Sequence, residues 1–470
     1  MNYKPFVTGG CTEFAKYGVY PKSVRALGDS TVFMANAGDA DVLVCVGKSA
    51  LEGKTRCGVT VAECDHKTAG FLRANFPFTA PVPVLSYPRT VGVGDRLGIA
   101  GPGHLRVFEK YDALPVLAQQ SIRELNLTHR TYKDVLDAAT FAVYREGFEK
   151  GFGADGDHLK KPEDVEYALG LGFTMITLDC SEHIKGDGSS VECPEYEERY
   201  LGKTFDVGEG LKLTFSKEEL AKIVYIYGEA IDFAVSIYDR FFKEGGAKAD
   251  FEISIDETAT PTTPLQHFFV ANELTRRGVK IATIAPRFCG EFQKGVDYIG
   301  DLQQFDAEMH DHARIARHFG YKISVHSGSD KFSVFPSVGR NTNGVFHVKT
   351  AGTNWLEAMR VVAVHDPALY REIHAYALEA FAEASTYYHV TTDLTKIPDL
   401  ATLSDAELPA LFTQNDARQL IHITYGLILS APRFHDRLYT FWRKYADEYA
   451  TAVESHIGHH LQALGVPERA

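Results

Sequence analysis

The chain has 470 residues, 45% hydrophobic and 24% charged, the composition of a folded globular protein whose core is large enough to position a site; this excludes a disordered chain. A formal net charge of -13, with no basic cluster to offset it, excludes a nucleic-acid backbone or an anionic membrane as the expected partner, since both are held by Lys and Arg. The start, MNYKPFVTGG, lacks the basic and apolar segments of a secretory signal, and no apolar run approaches the ~20 residues of a membrane helix, so the expectation is a cytoplasmic protein.

Residues 1–87 carry β-branched runs, TVFMANA and ADVLVCVG, cut by Gly, Asp and Pro; they predict a small N-terminal α/β region. From 88 the texture becomes short apolar runs alternating with longer helical patterns. GIAGPG (98–103) lacks both the Walker lysine and GxGxxG spacing, and reads as a turn. Strands are predicted at 91–100, 173–180, 251–257, 280–287, 321–327 and 344–350, and helices at 131–150, 217–243 and 301–320. GADGDHLKK (153–161) reads as a polar loop between them. The alternation predicts a (β/α)8 TIM-type barrel over 88–365, with an open doubly wound sheet as the alternative. Residues 366–470 show no strand pattern and read as a C-terminal helical extension. Seven scattered cysteines (11, 45, 57, 64, 180, 193, 289) form no CxxC pair, so thiols rather than a disulfide framework or zinc knuckle are expected.

In a barrel the chemistry gathers at the C-terminal ends of the strands. The polar residues placed to matter are Asp95 and Arg96 within the first predicted strand; Asp157 and His158 after a helix; Asp179, Glu182 and His183 closing the next strand; Arg287, Glu291 and Gln293 after another; and His326, Ser329, Asp330 and Lys331 ending YKISV. In FEISIDE, strand alternation puts Phe251, Ile253 and Ile255 on one face and Glu252, Ser254 and Asp256 on the other. A carboxylate facing into a barrel must be paired, protonated or on a metal. His310, His312 and His318 lie on an amphipathic helix and are expected on its solvated face.

GDHLKKPEDVEYALGLGFTMITLDCSEHI (156–184) and HSGSD (326–330) resemble the class II, metal-dependent aldolases over about a third of the chain. There an Asp-His pair ends one strand and an HGGSG loop supplies a metal histidine and an anion site. The corresponding third histidine is missing from IAPRFCGEFQKGVDY (284–298), where Cys289, Glu291 and Gln293 are the candidates. Over nearly its whole length the chain is similar to the tagaturonate (hexuronate) epimerases. That likeness is carried by GDRLGIAGPGH (94–104), FGADGDHLK (152–160), DETATPTTP (256–264), APRFCGEFQKGVDY (285–298), YKISVHSGSDKFS (321–333) and KTAGTNWLEA (349–358).

The resemblance implies a metal-dependent isomerase interconverting tagaturonate and fructuronate, with tagatose and fructose as side substrates and an aldolase acting on a sugar acid as the alternative. It implies His158, His326 and Gln293 as ligands of a divalent cation, with Glu291 the competitor for the third place. Zinc, manganese, nickel and iron all suit such a mixed site. Asp157 is expected as general base, and Glu252 as the returning acid with its pKa raised by burial. Lys331, Ser329 and Arg96 are expected to hold the substrate carboxylate, and Thr353 and Asn354 its hydroxyls. A sugar acid is the expected partner, and a homo-oligomer is left open.

Overall fold

The computed structural model describes residues 17–48, 50–186, 188–350 and 352–469. A six-stranded antiparallel sheet comes first, its longest strands Ser30–Asn36 and Asp41–Val46, followed by the helix His66–Asn75. Eight parallel strands then close into a barrel. They are labelled β1 (Arg89–Gly92), β2 (Leu114–Ser121), β3 (Gly153–Leu159), β4 (Met175–Asp179), β5 (Asp250–Ile255), β6 (Thr283–Pro286), β7 (Lys322–Val325) and β8 (Phe346–Lys349). Each pairs with its sequence neighbour, and β8 pairs with β1.

The expected helices are present as Tyr132–Glu146, Lys217–Phe241 and Leu302–Phe319, all with local signals at their starts. Thr131 and Ser216 form capping boxes, and the Asp301 side chain accepts from the backbone N–H groups of Gln303 and Gln304. GIAGPG departs from the expected turn: Gly101 begins the helix Gly101–Lys110. A Cβ on Gly103 would lie 2.6 Å from the carbonyl oxygen of Ala450, so this glycine permits close packing against a C-terminal helix. GADGDHL departs further, because it is β3 itself and not a loop. The expected 91–100 strand ends at Gly92, and β2 was not anticipated.

The barrel is filled differently at its two ends. Toward the N-terminal end, Lys322 Nζ donates to Tyr87 O (2.8 Å) and Thr90 Oγ1 (2.9 Å), and His347 Nδ1 lies 2.9 Å from the same hydroxyl. Above them sit Asp155, Thr177, Glu252, Thr283 and Lys349, all buried. Outward-facing Phe251 packs on Tyr238 and Phe242, as the alternation in its strand predicts.

Helices from Pro367 to Ala463 wrap one side of the barrel. Trp355 Nε1 donates to Ile421 O (2.8 Å), and Trp442 Nε1 to Ala358 O (3.0 Å). Among the described residues, no helix is long and apolar enough to cross a membrane. Cys45, Cys64, Cys180, Cys193 and Cys289 are free, Cys57 is disulfide-bonded, and Cys11 lies outside the described residues. His312 also departs from expectation: it is buried, with Nδ1 2.9 Å from His267 Nδ1, because that face of its helix packs on the barrel; His310 and His318 are exposed.

Candidate active site

A cavity of about 560 Å³ opens at the C-terminal ends of the strands, lined in part by Asp157, His158, Lys160, Asp179, Asp256, Lys294, His326, Ser329 and Lys349. His158 comes from a distortion of β3. Two steps along β4, Ile176 to Leu178, face three along β3, Gly156 to Leu159, so β3 bulges at Asp157 and His158. His158 adopts φ +56°, a left-handed conformation that costs a non-glycine residue energy and recurs at functional sites. The bulge lets adjacent residues reach one cavity where regular alternation would send them to opposite faces.

His158, Asp256 and His326 bring ligand atoms within 4.8 Å of one another. Each imidazole is held at one nitrogen by a carboxylate. His158 Nδ1 is 2.9 Å from Asp157 Oδ1, and His326 Nε2 is 2.8 Å from Glu252 Oε1. His326 Nδ1 is buried without a hydrogen-bond partner, although Asp256 Oδ1 is only 3.2 Å away. A distance short enough for an ion pair without hydrogen-bond geometry leaves the imidazole nitrogen available to a third body, while Asp256 Oδ1, which accepts from Ser254 Oγ at 2.5 Å, keeps a further lone pair. Carboxylates that fix the far nitrogen of an imidazole are the usual supports of metal-binding histidines, so these residues fit a divalent cation.

Beneath them lies Lys349, whose Nζ is 2.8 Å from Asp155 Oδ2, 2.8 Å from Asp157 Oδ1 and 2.7 Å from Glu252 Oε1. Burial acts against its charge, but the three carboxylates outweigh it and raise its pKa well above the ordinary lysine value. The carboxyls diverge. Burial, helped by Asp157 and Glu252 and opposed by Lys349, pushes Asp155 up to about 6. For Asp157 burial is outweighed by Lys349 and His158, which hold it well below the carboxylate range.

Glu252 contradicts the expectation of a raised acid: burial is outweighed there by Lys349 and His326, and the group is held well below its ordinary value. Glu252 is fully buried, with Thr283 Oγ1 donating to Oε2 at 2.5 Å, and it does not line the cavity.

Several expected site residues stand elsewhere. Gln293 is not brought to the histidines: its Oε1 accepts from Thr391 N (3.0 Å), Thr391 Oγ1 (3.0 Å) and Gln419 Nε2 (3.1 Å). The carboxylate in that place is Asp256. Cys289 is buried beside Tyr298 and Glu291 pairs by backbone with Ile299, so neither joins the cluster. Lys331 is fully buried, donating to the carbonyls of Gln293, Val296 and Ser329 at 2.7 to 2.9 Å, and its three protons are all used. Arg96 is closed into a pair with Glu124 (2.6 and 2.9 Å) under the ring of Tyr425. Thr353 and Asn354 are buried; Asn354 Nδ2 donates to Gly94 O (2.6 Å), and neither lines the cavity. Ser329 does line it.

Lys349, Asp256 and Lys294 were not selected from the sequence. Lys349 and Asp256 could have been, by parity: Lys349 alternates with Phe346 and Val348 in β8, and Asp256 shares the face of Glu252.

The closed parallel barrel and a cavity lined by carboxylates, histidines and lysines at its C-terminal end define a (β/α)8-barrel enzyme. The family model for UxaE, tagaturonate epimerase, matches residues 20–464. The chain belongs to this family of isomerases. It is 42% identical to a tagaturonate/fructuronate epimerase of Thermotoga maritima, covering 95% of this chain and 97% of that one. It is 49% identical to the fructuronate-tagaturonate epimerase of Cohnella laeviribosi. A structure of that protein with one glycerol gives a TM-score of 0.94 over 99% of this chain and 100% of that chain, and its native structure gives 0.93 over 98% of each.

Proposed function

We propose that the protein interconverts tagaturonate and fructuronate in this cavity, with a divalent cation held by His158, Asp256 and His326. Two imidazoles, each clamped at one nitrogen by a carboxylate and grouped with Asp256, carry the reading. Such an ion, whether zinc, manganese, nickel or iron, supplies a Lewis acid that lowers the cost of negative charge at the ketone oxygen.

The two ketoses differ at a carbinol carbon β to the ketone, and that carbonyl does not acidify a proton there. Loss of the β-hydroxyl proton, however, lets the bond between the α and β carbons open. Its electron pair stays on the α carbon as an enediolate, and the β carbon becomes an aldehyde. When the aldehyde turns its other face and the bond re-forms, the centre is inverted.

Asp157 is the base in this scheme. It faces the cavity, and its contacts with His158 and Lys349 both fall on Oδ1, leaving Oδ2 to take the hydroxyl proton and return it. Lys349 keeps the carboxylate ionised and therefore ready to accept. Glu252 serves as a positioning residue that orients His326.

The test is incubation of the purified protein, loaded with each ion in turn, with fructuronate while tagaturonate is followed by NMR. No product with any ion would reject the substrate. Deuterium appearing at the inverted carbon in D₂O would reject bond cleavage. Free aldehyde captured by a coupled reductase would indicate an aldolase instead.

A further inference from the structure

The cavity contains a lysine whose charge no carboxylate among the described residues pairs with. Lys349 and Lys160 each face carboxylates, whereas Arg123 and Lys161 are exposed at the rim. Lys294 is half-buried in the cavity wall, and among the described residues no carboxylate lies within ion-pair distance of its Nζ. Its Nζ donates to Ser327 Oγ at 3.4 Å. The nearby acid Glu124 is committed to Arg96 through Oε1. Burial, reinforced by Arg123 and Arg96 and opposed by Glu124 and Asp157, lowers the pKa of Lys294.

The loop that presents this lysine is fixed at four consecutive carbonyls. Gln293 O and Val296 O accept from Lys331 Nζ, Lys294 O from Gln419 Nε2 (3.1 Å), and Gly295 O from Arg418 Nε (2.8 Å). Only the Lys294 side chain is left to face the cavity, where Ser329 also lies. A cation on so constrained a backbone is preorganised for an anion, because little ordering is left to pay for on binding. Lys331 and Gln293, expected at the substrate and the metal, build this loop instead.

We propose that Lys294, with the hydroxyls of Ser327 and Ser329, anchors the substrate carboxylate and so sets the preference for a uronate over a neutral ketohexose. The assignment rests on the uronate reading above. An ammonium–carboxylate bond in a shielded cavity contributes enough to change affinity about 10- to 100-fold.

The test is the metal-loaded Lys294→Met protein assayed with fructuronate and, in parallel, with fructose. The ratio of kcat/KM for uronate over ketohexose is expected to fall about 10- to 100-fold, chiefly through KM for the uronate, with Lys294→Arg recovering part of it. Binding of a non-reacting hexuronate and of its methyl ester gives a readout independent of turnover. The wild-type protein should favour the acid, and Lys294→Met should bind both alike. An unchanged ratio, or equal binding of acid and ester by the wild-type protein, overturns the assignment. Wild-type protein that binds the acid selectively but does not convert fructuronate would overturn the epimerase reading and leave the anchor standing.

Discussion

At the scale of single residues, the proposed mechanism separates groups that hold from groups that react. Asp256→Ala should abolish divalent-ion binding measured by metal analysis, whereas Gln293→Ala should retain it, because the Gln293 amide oxygen is already taken by three donors. The opposite result would restore the sequence-based expectation. Asp157→Asn keeps an oxygen to accept from His158 Nδ1 but loses the proposed base, so metal content should persist while kcat falls by a factor on the order of 10² to 10⁴. Glu252→Gln should weaken metal affinity about 10- to 100-fold in a chelator competition, the effect expected of a ligand's support. The sequence marked Asp157, His158 and His326 because polar residues near strand ends are conspicuous. Gln293, Lys331 and Arg96 looked equally conspicuous, and only the structure shows that the Gln293 amide oxygen and the Lys331 ammonium are already taken and that Arg96 is paired with Glu124.

At the scale of elements, two features position the site. One is the bulge in β3; a polar, glycine-containing segment with no apolar run hides a strand whose inward side chains, Asp155 and Asp157, are satisfied by Lys349 from β8. The other is the clamp of the C-terminal helix Ala446–Ala463 on the loop after β7. His456 Nε2 lies 2.5 Å from Asp330 Oδ1, and Arg418 Nη2 2.6 Å from Asp330 Oδ2.

Burial opposes the charge on His456, but Asp330 and Glu357 outweigh it, against Arg418, and raise its pKa. For Asp330 burial is outweighed by His456 and Arg418, which hold it well below the carboxylate range. A raised histidine stabilises fully below its unfolded value near ~6.5 and loses that contribution as pH rises through its folded value. A depressed aspartate stabilises above ~3.9 and loses its contribution as pH falls through its folded value. The clamp is therefore complete between ~4 and ~6.5 and loosens on the alkaline side. Thermal unfolding of the wild-type protein should lose midpoint above neutrality more steeply than His456→Gln; parallel slopes would remove His456 from this role.

At the scale of the whole molecule, the C-terminal helices share one core with the barrel. Trp442 is buried against Trp355 and Tyr439, and its indole N–H is bonded to the last barrel helix. Trp442→Ala should cost about 3 to 5 kcal/mol and lower the thermal midpoint of the entire protein in one transition. A barrel transition that stays in place while a separate helical one moves would show independent units.

The amino-acid sequence by itself determined the class of fold, since alternating strand and helix periods are local properties written in consecutive residues. It also determined the family, through motifs spread over nearly the whole chain. It pointed to the Asp157–His158 pair and His326 through that same resemblance, since GADGDHL carries no strand periodicity of its own. The tertiary structure alone decided which polar groups face the cavity and which are already satisfied. That choice depends on partners far along the chain, such as Gln419 for Gln293, Glu124 for Arg96 and Asp157 for Lys349. A buried polar atom is functional or structural according to whether its hydrogen bonds are complete, and completeness is a property of the assembled core.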